Sequence, residues 1–188
     1  MENNNISEYP MSDFKKILVS EKEIQGIISR IAKEINQNYA GRKLLICAIL
    51  KGAFIFTSDL IRQISIPLEV TFIKASSYGS GSTSAGDVKV IEFSDLGTYT
   101  DFDILIVDDI LDTGNTLSNL KKFLKIKGFK NIEFCVLLDK PSRRESEVDV
   151  KYIGKQIENE FVVGYGLDFA EKYRSLPFIA ALDEKVYK

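Results

Sequence analysis

Asp103-Ile104-Leu105-Ile106-Val107-Asp108-Asp109-Ile110-Leu111-Asp112-Thr113-Gly114-Asn115-Thr116 is the stretch on which the fold turns. Its first half is a short, unbroken apolar run, the pattern of a strand covered on both faces. From Thr116 to Lys127 the spacing changes, and Leu117, Leu120 and Leu124 fall on one helical face, with Gly128 where a C-cap glycine belongs. Between strand and helix lie two adjacent carboxylates, a third aspartate and a Thr-Gly-Asn-Thr turn. The C-terminal end of a buried strand is where open α/β sheets bind their ligands.

The same alternation extends outward on both sides. Ile24, Ile27, Ile28, Ile31 and Ile35 predict an amphipathic helix over 21–39, and Leu44 to Leu50 predicts a second buried strand. A helix is expected over 53–64, then strands at Leu68-Val70-Phe72, over 88–93 and over 132–138. Strands alternating with helices of this length imply an α/β fold, a mostly parallel sheet flanked by helices. The 188 residues suit a single domain, with no internal repeat and no linker. The Ser/Gly-rich segment 76–87, with Tyr78 as its one aromatic residue, reads either as a solvated loop or as a lid.

Composition removes whole classes of function. The chain has no histidine, which excludes Ser-His-Asp and Cys-His hydrolases and His-ligated zinc. Acid–base chemistry must come from Asp, Glu, Lys or Tyr, and a metal would be magnesium held by oxygen. Cys47 and Cys135 each lie inside an apolar run and read as buried, reduced thiols. The net charge of -2 collects no basic face, so nucleic acid is not the expected partner. With no signal-peptide pattern and no apolar run near the ~20 residues a bilayer requires, neither a membrane nor export is expected, and the cytoplasm is.

The chemistry concentrates at 108–116. Thr113, Gly114, Asn115 and Thr116 offer backbone N–H groups and hydroxyls at a helix N-terminus, which suits a phosphate monoester. Asp108 and Asp109 repel anions and should face sugar hydroxyls or a hydrated cation. A plainer alternative is that Asp112 caps the helix while the pair is solvated.

This stretch resembles the phosphoribosyl-diphosphate motif of type I phosphoribosyltransferases: two acidic residues, two apolar residues, then Asp-Thr-Gly-x-Thr. The family often has Glu where this chain has Asp108, which shortens the reach and keeps the charge. Three further segments resemble the hypoxanthine-guanine branch, in family order. These are Leu50-Lys51-Gly52, Leu138-Asp139-Lys140-Pro141, and Phe161-Val162-Val163-Gly164-Tyr165-Gly166-Leu167-Asp168 followed by Arg174.

The resemblance implies an enzyme of purine salvage that moves a phosphoribosyl group from its diphosphate donor to hypoxanthine or guanine. It implies that Thr113 to Thr116 hold the 5-phosphate, and that Asp108 and Asp109 hold the ribose hydroxyls and Mg2+. Asp112 is then the general base or acid at the purine. Lys51, Gly52 and Arg174 meet the diphosphate, and a cis peptide precedes Lys51. Lys140 donates to the purine 6-oxo group, Phe161 stacks on the ring, and the Val162 backbone reads the base edge. Asp168 lies near the exocyclic edge or a second magnesium. Ser77 and Tyr78 belong to the lid, a hood forms from the N- and C-terminal segments, and the protein assembles as a dimer or tetramer. Two readings compete. A nucleic-acid-binding regulator on the same fold would need a basic face that this chain lacks. The other reading is a sister enzyme acting on xanthine, adenine or uracil; Lys140 would mismatch adenine, while guanine and xanthine both remain open. The roles of Arg143 and Arg144 are open.

Overall fold

The computed structural model describes residues 9–77, 88–92 and 95–187. In chain order it contains β1 (Phe14–Val19), α1 (Glu21–Asn38), β2 (Leu44–Leu50), α2 (Phe54–Ile61), β3 (Leu68–Ser77) and β4 (Val88–Glu92). There follow β5 (Asp103–Leu111), α3 (Asn115–Ile126), β6 (Ile132–Asp139), β7 (Tyr152–Gln156), β8 (Val162–Val163), β9 (Ile179–Leu182) and α4 (Glu184–Tyr187).

The main sheet runs β4-β3-β2-β5-β6-β7, parallel throughout except where β4 joins β3. Strand direction and pleat explain its two apolar faces. Leu44 and Ile46 of β2 pack with Ile28 and Ile31 of α1 and with Phe56 and Leu60 of α2. Leu45, Cys47 and Ile49, one residue out of phase, pack with Leu117, Leu120 and Leu124 of α3. Cys47 and Cys135 are buried and form no disulfide, and burial pushes the Cys135 thiol upward. α1 starts at a capping box, in which Ser20 accepts from the Glu23 N–H and the Glu23 carboxylate accepts from the Ser20 N–H.

Strand order decides where a site can form. From β2 the chain moves outward to β3, and from β5 it moves the other way to β6 and β7. The crevice above the C-terminal ends of β2 and β5 is therefore the topological switch point. Over this edge lies a small antiparallel sheet, β1-β9-β8, with its own apolar cluster of Phe14, Val163, Tyr173, Leu176 and Phe178. Among the described residues no helix is long and apolar enough to cross a membrane.

Several boundaries differ from those periodicity predicts. β5 continues through Leu111 instead of ending at Val107, because Ile110 and Leu111 still pair with Leu138 and Asp139 of β6. α2 ends at Ile61, short of Ile64. β1, β7, β8 and β9 were not expected: β7 carries Gly154 and Lys155, and β8 is only Val162–Val163, so their partners across the sheet define them more than their own pattern does. Of the expected lid, Ser76 and Ser77 end β3. Tyr78 and the rest of that segment lie outside the described residues.

Candidate active site

The turn after β5 is shaped by a second loop packed behind it. Gly114 is the N-cap of α3 with φ 85°, and a Cβ there would lie 2.3 Å from the Ser146 carbonyl oxygen. Only glycine fits that left-handed, crowded position. The Thr113 carbonyl accepts from the N–H groups of Glu145 and Ser146 at 2.9 and 3.0 Å. The Asn115 side chain donates to Glu145 at 2.8 Å and accepts from the Ser146 hydroxyl at 2.5 Å. The pocket here, lined in part by Asp108, Asp112, Thr113, Gly114 and Thr116, holds about 80 Å³. That is far below the ~300–1,000 Å³ of a whole-ligand pocket, so it has room only for a small group. Asp112 is not the helix cap; its carboxylate accepts from Nε of Arg143 at 3.2 Å.

Asp108 and Asp109 sit within β5, not beyond it, both half-buried. The Asp109 N–H donates to Asp108 Oδ1 at 3.0 Å. Burial, reinforced by the charge of Asp109, pushes the Asp108 carboxyl well above its usual range. Burial also raises Asp109, while hydrogen bonds and the charge of Arg174 pull it back. Two desolvated carboxylates side by side suit a cation. Among the described residues no group of three His, Cys, Asp or Glu side chains could hold a metal ion. The adjacent carboxylates of Asp108 and Asp109 match the one or two carboxylates by which magnesium is commonly held.

The loop after β2 reaches the same place. The Leu50–Lys51 peptide is cis, as the family resemblance implies. A Cβ on Gly52 would fall 1.6 Å from Asp109 Oδ2, and one on Gly166 would fall 2.1 Å from the Gly52 carbonyl oxygen. Three backbone segments thus meet at van der Waals limits around the acidic pair. Arg174 donates to the Gly166 carbonyl at 2.8 Å and pairs with Asp168 at 2.8 Å. Glu171 bridges the two cations, 2.9 Å from Lys51 Nζ and 3.2 Å from Arg174. Nε of Arg174 is buried with no hydrogen-bond partner among the described residues.

At the end of β6, Lys140 is 7% exposed, and burial lowers its pKa from the usual 10.5, opposed by the charges of Asp112 and Glu160. Its N–H donates to the Leu111 carbonyl at 2.9 Å, tying the end of β6 to β5. Beside it Asp139, 4% exposed, pairs with Arg144, whose guanidinium also donates to the Asp112 carbonyl at 2.6 Å. Phe161 is 41% exposed, stacked on Tyr187 at 5.1 Å and edge-on to Phe169 at 5.7 Å. Val162 is buried in β8, opposite Ala181.

The expected residues fall into two groups. Lys51, Gly52, Asp108, Asp109 and Arg174 converge between β2 and β5, with Asp168 attached through Arg174. Asp112 and Lys140 are close enough for their charges to interact. Ser77 lies at the end of β3. Sequence reasoning missed Glu171, Glu145 and Ser146, and gave no role to Asp139 or Arg144. Glu171 could have been noticed as the carboxylate between Asp168 and Arg174, but nothing in the order of residues joins it to Lys51.

A family model described as "Phosphoribosyl transferase domain" matches residues 16–170. A hypoxanthine-guanine phosphoribosyltransferase of Staphylococcus aureus is 42% identical over 177 residues, 94% of this chain and 98% of that protein. The crystal structure of a hypoxanthine phosphoribosyltransferase from Staphylococcus aureus superposes with TM-score 0.87 at 41% identity, covering 94% of this chain and 96% of that one. That of a hypoxanthine-guanine phosphoribosyltransferase from Bacillus anthracis gives TM-score 0.81 at 40% identity, covering 90% and 99%. A match this long, on a fold whose switch point holds the motif, means that this chain belongs to the phosphoribosyltransferase family, with the hypoxanthine-guanine enzymes as its near relatives.

Proposed function

We propose that this protein transfers the 5-phosphoribosyl group of 5-phosphoribosyl 1-diphosphate to hypoxanthine or guanine, giving IMP or GMP and diphosphate. The observation that carries this reading is the β2–β5 switch point, with the 113–116 turn and the Asp108–Asp109 carboxylate pair one strand away from the buried Lys140. Thr113 to Thr116 hold the 5-phosphate through backbone N–H groups and hydroxyls. Asp108 and Asp109 hold the ribose hydroxyls and Mg2+, and Asp168 meets the exocyclic edge or a second ion. Magnesium, when bound, offsets charge on the diphosphate.

Breaking the bond from ribose C1 leaves positive charge on the sugar and negative charge on the leaving diphosphate. Lys51 and Arg174 stabilise the latter, and the Gly52 backbone lets it approach. Asp112 takes the purine proton, the role that a chain without histidine leaves to a carboxylate. Lys140 donates to the 6-oxo group, Phe161 stacks on the ring and the Val162 backbone reads its edge. Ser77 and Tyr78 would help exclude water when the site closes. Phe54 and Phe72, which line one pocket with Lys51, and Val70 are exposed by 43%, 38% and 38%, which supports assembly as a dimer or tetramer. The cytoplasm is the proposed location.

The test is a spectrophotometric assay with donor, magnesium and each of hypoxanthine, guanine, xanthine, adenine and uracil. Turnover of hypoxanthine or guanine with none of adenine is expected. Turnover of adenine alone, or of no base, would overturn the proposal.

A further inference from the structure

The turn after Asp168 is built in an unusual way. Ala170, Glu171 and Tyr173 have φ of 50°, 65° and 72°, a region that side-chain-bearing residues rarely adopt. The turn is pinned in that shape. The Glu171 N–H donates to Asp168 Oδ2 at 2.9 Å, Phe169 and Lys172 exchange backbone hydrogen bonds, and Gly166 and Arg174 are joined by N–H to carbonyl at 2.9 Å. The consequence is that one carboxylate is aimed at two cations from two separate loops. Glu171 Oε1 lies 2.9 Å from Lys51 Nζ, and Oε2 lies 3.2 Å from Arg174.

Stability does not account for this arrangement. Glu171 is 64% exposed, Lys51 56% and Arg174 18%, and ion pairs with so exposed a carboxylate contribute little. Backbone outliers of this kind are held by their surroundings and cluster where a site is built. Lys51 and Arg174 are also the two side chains that the proposed function assigns to the diphosphate, so this step rests on that reading. Both cations already have the partner that an incoming anion would need.

We infer that Glu171 is an internal competitor for diphosphate: it holds Lys51 and Arg174 in the free protein, gives them up when the diphosphate enters, and reclaims them when it leaves. The oxygens of Glu171 stand where two oxygens of a bridging anion would stand. The carboxylate keeps two cations from different loops in register without a ligand. It also weakens diphosphate binding, which favours release of that product.

The experiment is calorimetric titration of the full-length protein with inorganic diphosphate in magnesium, for wild type, Glu171→Gln and Glu171→Asp. Gln removes the charge and keeps the shape, whereas Asp keeps the charge and is too short to bridge both cations. Both variants are expected to bind diphosphate about 3- to 10-fold more tightly, the equivalent of two ion pairs with an exposed carboxylate no longer to be broken. Unchanged or weaker binding by Glu171→Gln would overturn the inference and make Glu171 a positioning residue. Tighter binding by Gln with wild-type binding by Asp would also overturn it, since net charge alone would then be responsible. If the wild type bound diphosphate but transferred no phosphoribosyl group to any base, the functional reading would fail while the competition was still measured. A wild type that bound no diphosphate would overturn both.

Discussion

Gly52 and Asp109 touch so closely that a single methyl group on the glycine would overlap the carboxylate, with Cβ only 1.6 Å from Oδ2. The Gly52 backbone is crowded on its other side by Gly166, so relief must come from rotation of the Asp109 carboxylate or a shift of the loop. Gly52→Ala should therefore displace the Asp109 carboxylate, the Lys51 loop, or both. Misplacing catalytic groups by about 1 Å lowers rates by ~10²-fold. A drop of that order in kcat/KM for the donor is expected in steady-state kinetics, and a near-normal value would show that the contact is not part of the donor site.

Asp112 gives a sharper contrast. Gly114 is the N-cap of α3, so Asp112 has no capping role to lose. Asp112→Asn keeps the shape and can still accept from Arg143, but it cannot take a proton. Turnover should fall by roughly 10²–10⁴-fold while donor affinity stays within several-fold. Equal turnover by the Asn variant would remove Asp112 from the proton chemistry.

Lys140 is nearly enclosed, and its charge is disfavoured by burial until something accepts from it. Lys140→Ala should weaken the use of hypoxanthine and guanine by about 1.5–3 kcal/mol, the value of a charged hydrogen bond. Binding of the donor alone should barely change. Fluorescence or calorimetric titrations with each ligand separate the two effects.

Arg144 joins the end of β6 to the turn after β5, through Asp139 on one side and the Asp112 carbonyl on the other. Arg144→Met would leave the Asp139 carboxylate 4% exposed without its cation. Removing one partner of a buried pair costs about 3–5 kcal/mol, so a loss of that size is expected in denaturant unfolding. Adding Asp139→Asn should restore part of it, which a purely local packing loss would not allow.

Much of this protein is legible in its order of residues. The helices 21–38 and 115–126 and the strands 44–50 and 132–139 follow from local periodicity, because each must bury one stripe or both faces. The acidic pair, the Thr-Gly-Asn-Thr turn, Lys51 and Lys140 are visible because their chemistry is written within a few neighbouring positions. What tertiary structure alone decided lies between distant segments. β1, β7, β8 and β9 exist because partners far along the chain satisfy their hydrogen bonds. Asp112 proves to be paired with Arg143 and not a cap, since an arginine thirty-one positions away reaches it where the loops after β5 and β6 meet. The contact of Glu171 with Lys51 has the same cause: the turn that carries both Glu171 and Arg174 packs against the loop after β2, 120 positions away. Local sequence specifies which groups are present, and long-range packing specifies which of them share a charge.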